Sequence, residues 1–172
     1  MPFIKSFALN HEHAFTEIYN KHAPQVLRMC RAYTESEAQA QDFLQETFIK
    51  VWQHLDNFRG DAKVSTWIYR IAVNTCLSHI RSNKNKAPVE LQEHFDRADD
   101  TTALVKEQQI AQLYKAVHRL PEADRLIISM VLEEIPYDEI AEALNISDGN
   151  LRVKIHRIKQ ELTKLFFSDE NI

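Results

Sequence analysis

The stretch Tyr137-Asp-Glu-Ile-Ala-Glu-Ala-Leu-Asn-Ile-Ser-Asp-Gly-Asn-Leu-Arg-Val-Lys-Ile-His-Arg-Ile-Lys159 has the form of a helix-turn-helix. Ile140, Ala141 and Leu144 give the first helix an apolar face, and Asn145-Ile146-Ser147 makes the turn. The Ser147 hydroxyl is placed to cap the helix that follows, and Ile146 plugs the angle between the two. At about 100° per residue, Leu151, Ile155, Ile158 and Leu162 fall within one narrow arc, the buried side. The opposite face then carries Gly149, Val153, His156, Arg157 and Gln160, with Arg152 and Lys159 on one shoulder and Asn150 and Lys154 on the other. Such a face suits the major groove of DNA: Asn150 and Arg157 reach base edges while Arg152, Lys154 and Lys159 hold phosphates. An ordinary solvated helix face also carries cations, but here the charge is segregated. Gly149 to Lys164 holds five basic residues and one acid, whereas Gln108 to Asp148 holds three basic residues and eight acids.

The rest of the 172-residue chain is consistent with helices throughout. Only 2 glycines occur, against 44% hydrophobic residues. Scarce glycine disfavours sandwiches, barrels and glycine-fingerprint nucleotide folds, which need positive-φ turns or close backbone approach to phosphate. Two cysteines, Cys30 and Cys76, cannot make a disulfide framework or a four-cysteine metal site, and both sit in apolar helical contexts as reduced thiols. His11 and His13 lack further ligands nearby and read as surface residues, so no metal site and no cofactor are expected. No unbroken apolar run approaches the roughly 18 residues of a membrane span, and a cytoplasmic protein without membrane insertion is expected.

From His11 to Ser82 apolar residues recur with helical spacing, interrupted at Pro24, at Thr34-Glu35-Ser36 and around Asn57 to Ala62, which predicts four helices. Ser36 with Gln39 has the form of a capping box, and Leu44, Phe48, Val51, Trp52 and Leu55 make the buried stripe of the helix it opens. Ser65 is the expected N-cap of the next, which runs to about Arg81. Periodicity then fails through Glu90, Glu93, Asp96, Asp99 and Asp100, and resumes from about Ala103 to Phe167. The expected fold is therefore all-α, with two small helical domains over residues 8–84 and 103–168 joined by a flexible acidic linker over 85–102.

The helix beginning near Ser65 is apolar over most of its circumference. Its one polar line is Arg70, Asn74, Ser78 and Arg81, with Trp67 at the edge. That line could track a nucleic-acid backbone while the aromatic stacks a base, or be the wet edge of a core helix. Just before it, Phe58 sits in the polar loop Asp56 to Lys63, either as a local hydrophobic plug or as a wall of a pocket for an unstacked base. On the preceding helix Asp42, Gln45, Glu46, Ile49 and Gln53 point away from the buried stripe. Ile49 among polar neighbours marks a docking surface or is a single exposed apolar residue of the usual kind.

In this order the motifs resemble bacterial RNA polymerase sigma factors of the compact extracytoplasmic-function group, within the sigma-70 family. Asp42-Phe-Leu-Gln-Glu-Thr-Phe-Ile-Lys-Val-Trp52 and Phe58 to Asn74, including Ser65-Thr-Trp-Ile-Tyr-Arg-Ile-Ala, match region 2, while Leu120-Pro-Glu and Tyr137 to Lys159 match region 4. The resemblance implies that Asp42, Gln45, Glu46, Ile49 and Lys50 dock on the β′ clamp helices of core RNA polymerase. It implies that Asn57, Phe58, Arg59, Lys63, Trp67, Arg70 and Asn74 capture and melt the minus-10 element of promoter DNA. Asn150, Arg152, Val153, Lys154, His156, Arg157 and Lys159 are implied at the minus-35 element, and apolar residues of Leu126 to Leu132 at the β flap. An anti-sigma factor is a further implied partner. Two departures stand out: Asn145 replaces the usual turn glycine, and Asn150-Leu-Arg-Val replaces the more frequent Thr-Val-Lys-Ser, so the preferred minus-35 sequence cannot be borrowed.

These features imply promoter-specific initiation rather than catalysis, with no enzyme activity and no bound cofactor. A stand-alone helix-turn-helix regulator is the alternative, and it leaves the Asp42 to Trp52 face unused. The net charge of −4 argues against DNA binding only when taken whole. By segment, Asp61 to Lys86 and Gly149 to Lys164 each sum to +4, while Ala87 to Glu107 sums to −4 and Gln108 to Asp148 to −5. A chain so divided is expected to bind free duplex poorly until its halves are spread apart.

Overall fold

A computed structural model describes residues 2–83 and 101–168. Among them lie seven α-helices: α1 (Pro2–Tyr33), α2 (Glu37–His54), α3 (Val64–Asn83), α4 (Thr101–His118), α5 (Glu122–Leu132), α6 (Tyr137–Leu144) and α7 (Asp148–Ser168). A short 3-10 turn over Leu55–Asn57 follows α2. The helical fold in two halves is as the sequence implies. The expected linker falls mostly on residues outside those described, and α4 begins at Thr101 rather than 103.

In the N-terminal half α1 to α3 enclose Val26, Met29, Cys30, Phe43, Phe48, Val51, Ile68, Val73 and Cys76, all buried. Ser36 caps α2 as expected, with extended backbone and its hydroxyl accepting from the Gln39 N–H at 3.1 Å. Three helices stand where four were expected, because α1 runs straight through Pro24. Proline removes one intrahelical hydrogen bond and crowds the preceding turn. Here it lies on the exposed side of α1, while neighbouring Ala23 and Val26 are held in the core. Side-chain packing along the rest of α1 outweighs that local loss.

Two other expectations change. Ser65 is not the cap of α3: the helix starts at Val64, and the Ser65 hydroxyl instead donates to Glu139 Oε2 at 2.8 Å. Trp52 is not buried on α2 but 42% exposed, lying edge-on to Phe15 and His11. His11, expected at the surface, keeps only 13% of its side chain exposed and pairs with Asp56 at 3.4 Å. His11 and Phe15 of α1 meet the Trp52 ring, a tertiary contact that no local pattern encodes.

The C-terminal half is built on Ala116, Val117, Leu120, Leu126, Met130, Ile135, Ile140, Leu151, Ile155 and Ile158. Its apolar set is continuous with that of the N-terminal half. The seam runs along α1 with α5 and along α3 with α6. A polar chain crosses it: Tyr69 donates to Gln25, and Gln25 Nε2 donates to the Glu133 carbonyl at 2.9 Å. Arg28 donates to the Glu133 carboxylate at 2.7 Å, and Arg125 spans from the Tyr33 carbonyl to those of His118 and Leu120. Partnered polar groups of this kind fix orientation across the seam, although Arg125 Nε is itself buried without a hydrogen-bond partner.

Candidate nucleic-acid interface

The turn of the helix-turn-helix forms as its residues dictate. Asn145 adopts the left-handed conformation, φ 53° and ψ 47°, which closes α6. Asparagine tolerates this region better than other residues with a Cβ, so the usual glycine is dispensable here. Ser147 caps α7, its hydroxyl accepting from the Asn150 N–H at 3.2 Å. With Leu151, Ile155 and Ile158 buried, the outer face presents Asn150, Arg152, Val153, Lys154, His156, Arg157 and Lys159, all exposed. Gly149 has open space about it and an ordinary backbone, so only Gly60, at φ 77°, uses glycine's freedom.

Arg152 is the anchored cation of this face. Its Nε donates to Asp148 at 2.7 Å, and its guanidinium lies 5.3 Å from the centre of the Tyr137 ring. The hydrogen bond to Asp148 raises its pKa further above the usual arginine range. Lys159 reaches the same tyrosine's hydroxyl at 3.5 Å. Tyr137, which the sequence reading did not single out, thus sits beneath two exposed cations of α7. An aromatic at the first position of α6, on the side turned to α7, is the signal for it.

The second surface gathers the residues implied for the minus-10 element. Phe58 and Trp67 rings lie 4.9 Å apart at 36°, and with Asn57, Arg59, Asp61, Ala62 and Arg70 they border a cavity of about 280 Å³. Phe58 is therefore both a packing partner for Trp67 and a wall of an open hollow. Gly60, in the loop that carries Phe58 and Arg59, has a left-handed backbone. Arg70, Asn74, Ser78 and Arg81 form the exposed line of α3, as their spacing predicts.

Two of these residues are not free. Lys63 Nζ donates to Glu139 Oε1 at 3.2 Å, and Arg70 donates to Glu142 Oε1 at 3.1 Å. Glu139, with 9% of its side chain exposed, is held by Lys63 and by Ser65. Its carboxylate raises the pKa of Lys63. Sequence reasoning missed this bridge. The opposite charges of the Asp61 to Lys86 and Gln108 to Asp148 segments were the available signal.

On α2, Asp42, Gln45 and Ile49 are exposed, Ile49 to 56%, while Glu46 and Lys50 are half-buried. Lys50 Nζ bonds Glu46 at 2.7 Å and the Thr75 hydroxyl at 3.1 Å, and Glu46 lies 3.4 Å from His79. The Lys50 hydrogen bond holds the Glu46 carboxyl below the usual carboxylate range. Of the three charged residues implied for docking, Glu46 and Lys50 are thus tied to α3, while Asp42 is exposed. The stretch expected at the β flap is otherwise: Leu126, Ile127, Ile128 and Met130 are buried where α5 meets the other helices, and only Leu132 is open at 38%. No group of metal-ligating side chains and no helix long and apolar enough to cross a membrane occur among the described residues.

Comparison with known proteins matches Sigma-70 region 2 over residues 18–86 and Sigma-70, region 4 over residues 110–162, together most of the chain and in that order. RNA polymerase sigma-H factor of Pseudomonas aeruginosa is 29% identical over 164 residues, spanning 88% of this chain and 85% of that protein. ECF RNA polymerase sigma factor SigW of Bacillus subtilis is 27% identical over 176 residues, 94% of this chain and 93% of the relative. Among solved structures, CnrH in complex with the cytosolic domain of CnrY matches with a TM-score of 0.69 at 21% identity, over 92% of this chain and 90% of that one. The sigma factor RpoE of Bartonella quintana in complex with the anti-sigma factor NepR gives 0.71 at 17% identity, over 88% and 96%.

Proposed function

The chain belongs to the sigma-70 family, with curated relatives among the extracytoplasmic-function sigma factors, and on that premise we propose that it directs core RNA polymerase to specific promoters and initiates transcription there. The observation that carries this reading is the presence, on one chain and in region order, of two distinct surfaces whose chemistry suits DNA. One is the exposed basic face of α7; the other is the aromatic hollow of Phe58 and Trp67 beside the Arg70-Asn74 line. A stand-alone regulator has use for the first alone.

In this mechanism α7 enters the major groove of the minus-35 element. Arg157 and Asn150 reach base edges, Val153 supplies an apolar contact, His156 adds a polar one, and Arg152, Lys154 and Lys159 hold phosphates. The hollow bordered by the packed Phe58 and Trp67 rings takes an unstacked base of the minus-10 element, with Asn57 and Arg59 at its rim and Lys63, Arg70 and Asn74 along the strand. Strand opening is driven by differential binding, since duplex DNA cannot offer a flipped base to the hollow. Asp42, Gln45 and Ile49 make the outward contact with the β′ clamp helices, backed by Glu46 and Lys50, and Leu132 is the exposed start of a β-flap contact. Core polymerase, promoter DNA and an anti-sigma factor are the partners on this reading. The chain catalyses no reaction of its own, needs no cofactor, and works in the cytoplasm. Run-off transcription with bacterial core polymerase is the test: a promoter-dependent transcript that appears only with this chain is expected, and absence of both core binding and transcript refutes the proposal.

A further inference from the structure

We propose that His11 is a positioning residue for the minus-10 site: from the N-terminal third of α1 it holds Asp56, and with it the 3-10 turn from which Asn57 and Phe58 enter the hollow. This rests on the sigma reading above and deepens it, since it says what sets the front wall of the hollow.

The contact closes a ladder between two helices. Tyr19, Phe15 and His11 recur every four residues on α1 and so share one face. Phe48, Trp52 and Asp56 recur in the same way down α2 and into the turn that follows it. The two rows meet in opposite directions. Tyr19 and Phe48 ring centres lie 4.8 Å apart, Phe15 and Trp52 5.0 Å, and His11 stands edge-on to Trp52 at 4.3 Å. The last rung is polar, with His11 Nε2 at 3.4 Å from Asp56 Oδ1. His11 keeps 13% of its side chain exposed against 54% for Asp56, so the imidazole is the fixed member and the carboxylate the one it restrains. The region 2 match begins at residue 18, and His11 and Phe15 lie before it.

The loop beyond the turn has few other ties. The Phe58 N–H donates to the Leu55 carbonyl at 3.1 Å, which sets where the Phe58 ring starts. From Arg59 to Ala62 no hydrogen bond to another residue occurs among the described residues. The next anchor is Lys63, whose carbonyl accepts from the Trp67 N–H at 3.0 Å. A stretch held so sparsely opens at little cost. The 3-10 turn, packed on both α1 and α2, therefore decides how Asn57 and Phe58 stand against Trp67. A wall in place before the base arrives spares the ordering cost that binding would otherwise bear. Releasing Asp56 loosens that wall and blurs the fit of one base over another.

The test uses the full chain as holoenzyme with bacterial core polymerase, on templates that the native holoenzyme selects from a random pool. Each template is also made with single changes at every minus-10 position, and permanganate-reactive open complex measures the discrimination between them. His11→Ala is expected to lower that discrimination roughly two- to fivefold, as the loss of a partly exposed pair implies. Asp56→Asn, which keeps the shape and removes the charge, should do the same. The two together should lose no more than the larger single loss, because both act through one contact. Affinity for core polymerase and for minus-35 duplex should not move. A merely structural role lowers opening on every template alike and leaves the ratio as it was. An unchanged ratio in His11→Ala, or losses that add in the double variant, overturns the proposal, while run-off transcription by the native chain keeps the sigma reading intact. No promoter-dependent transcript from the native chain overturns both. Should His11→Ala not fold, Asp56→Asn alone, at a half-exposed position, carries the same expectation, and no change there overturns the proposal.

Discussion

The outer face of α7 and the stripe of α3 have the same net charge over their segments, yet one is open and the other is bridged by carboxylates from across the chain. Their difference lies in what stands behind each. The cations of α7 project from a helix whose buried side, Leu151, Ile155 and Ile158, is satisfied within its own half. On α3, a helix apolar nearly all round, Arg70 meets α6, as does Lys63 just before it, while Asn74, Ser78 and Arg81 stay exposed. Charge decides what a surface can bind, and packing decides when it is available.

Helix α6 serves both surfaces, so weakening its anchor breaks the comparison most severely. Ile140 is fully buried, and truncation to alanine removes several methylene equivalents and leaves a cavity. Ile140→Ala should cost about 2 to 5 kcal/mol in urea unfolding. Minus-35 duplex affinity should fall with it, because α7 packs on α6.

A crossed pair of substitutions separates the surfaces. Arg157→Ala should weaken minus-35 selection by about 1 to 3 kcal/mol if it reads a base edge, leaving single-strand binding unaltered. Trp67→Ala should cost about 1 to 3 kcal/mol of stacking on an unpaired base, seen as loss of permanganate-reactive open complex, with minus-35 duplex affinity intact. A change in both activities from either substitution would show that the surfaces are not separable.

How much of this was legible follows the same division. The α7 face could be read whole, because the period of Leu151, Ile155 and Ile158 fixes every other residue's direction and Asn145 with Ser147 fixes the ends. Asp42, Gln45 and Ile49 on α2 followed from the same periodic rule. What escaped was tertiary. Pro24 reads locally as a break, yet packing keeps α1 continuous; Ser65 reads as a cap, yet it is bonded to Glu139, 74 residues along the chain. Lys63 and Arg70 read as free cations because their partners lie on a helix that periodicity places in the other half.

Acid should loosen the seam that makes the two surfaces unequal. His22 is buried on α1 between Lys21 and Glu139, and burial, then Lys21, lowers its pKa despite the opposing carboxylate. His118 lies between Arg125 and Glu35, near the backbone of Arg31 and Thr34; burial, then Arg125, lowers its pKa as well, and its Nε2 is enclosed without a hydrogen-bond partner. The folded chain thus holds both rings neutral while the unfolded chain protonates them near the ordinary histidine value of about 6.5. Stability is full above that value and falls as pH drops below it toward the lowered pKa values. Urea midpoints measured from pH 7.5 to 5 should decline, and His22→Gln with His118→Gln should flatten the slope. An unchanged slope would place the pH response elsewhere.

The smallest expected effect sharpens the contrast at α7 itself. Arg152 is steadied from within its own half, by Asp148 at 2.7 Å and the Tyr137 ring at 5.3 Å, whereas Lys63 and Arg70 are steadied from the opposite half. Tyr137→Leu removes the ring and should weaken minus-35 duplex binding by about 0.5 to 1 kcal/mol, the worth of an exposed cation–aromatic contact. Tyr137→Phe keeps the ring and loses only the 3.5 Å contact to Lys159, so it should stay within about 0.5 kcal/mol of the native chain. Duplex affinity by anisotropy ranks the three proteins, and single-strand binding should not move in any of them. If Tyr137→Leu also raises single-strand affinity, the ring supports the Glu139 face as well as Arg152, and the two surfaces are coupled through the first turn of α6.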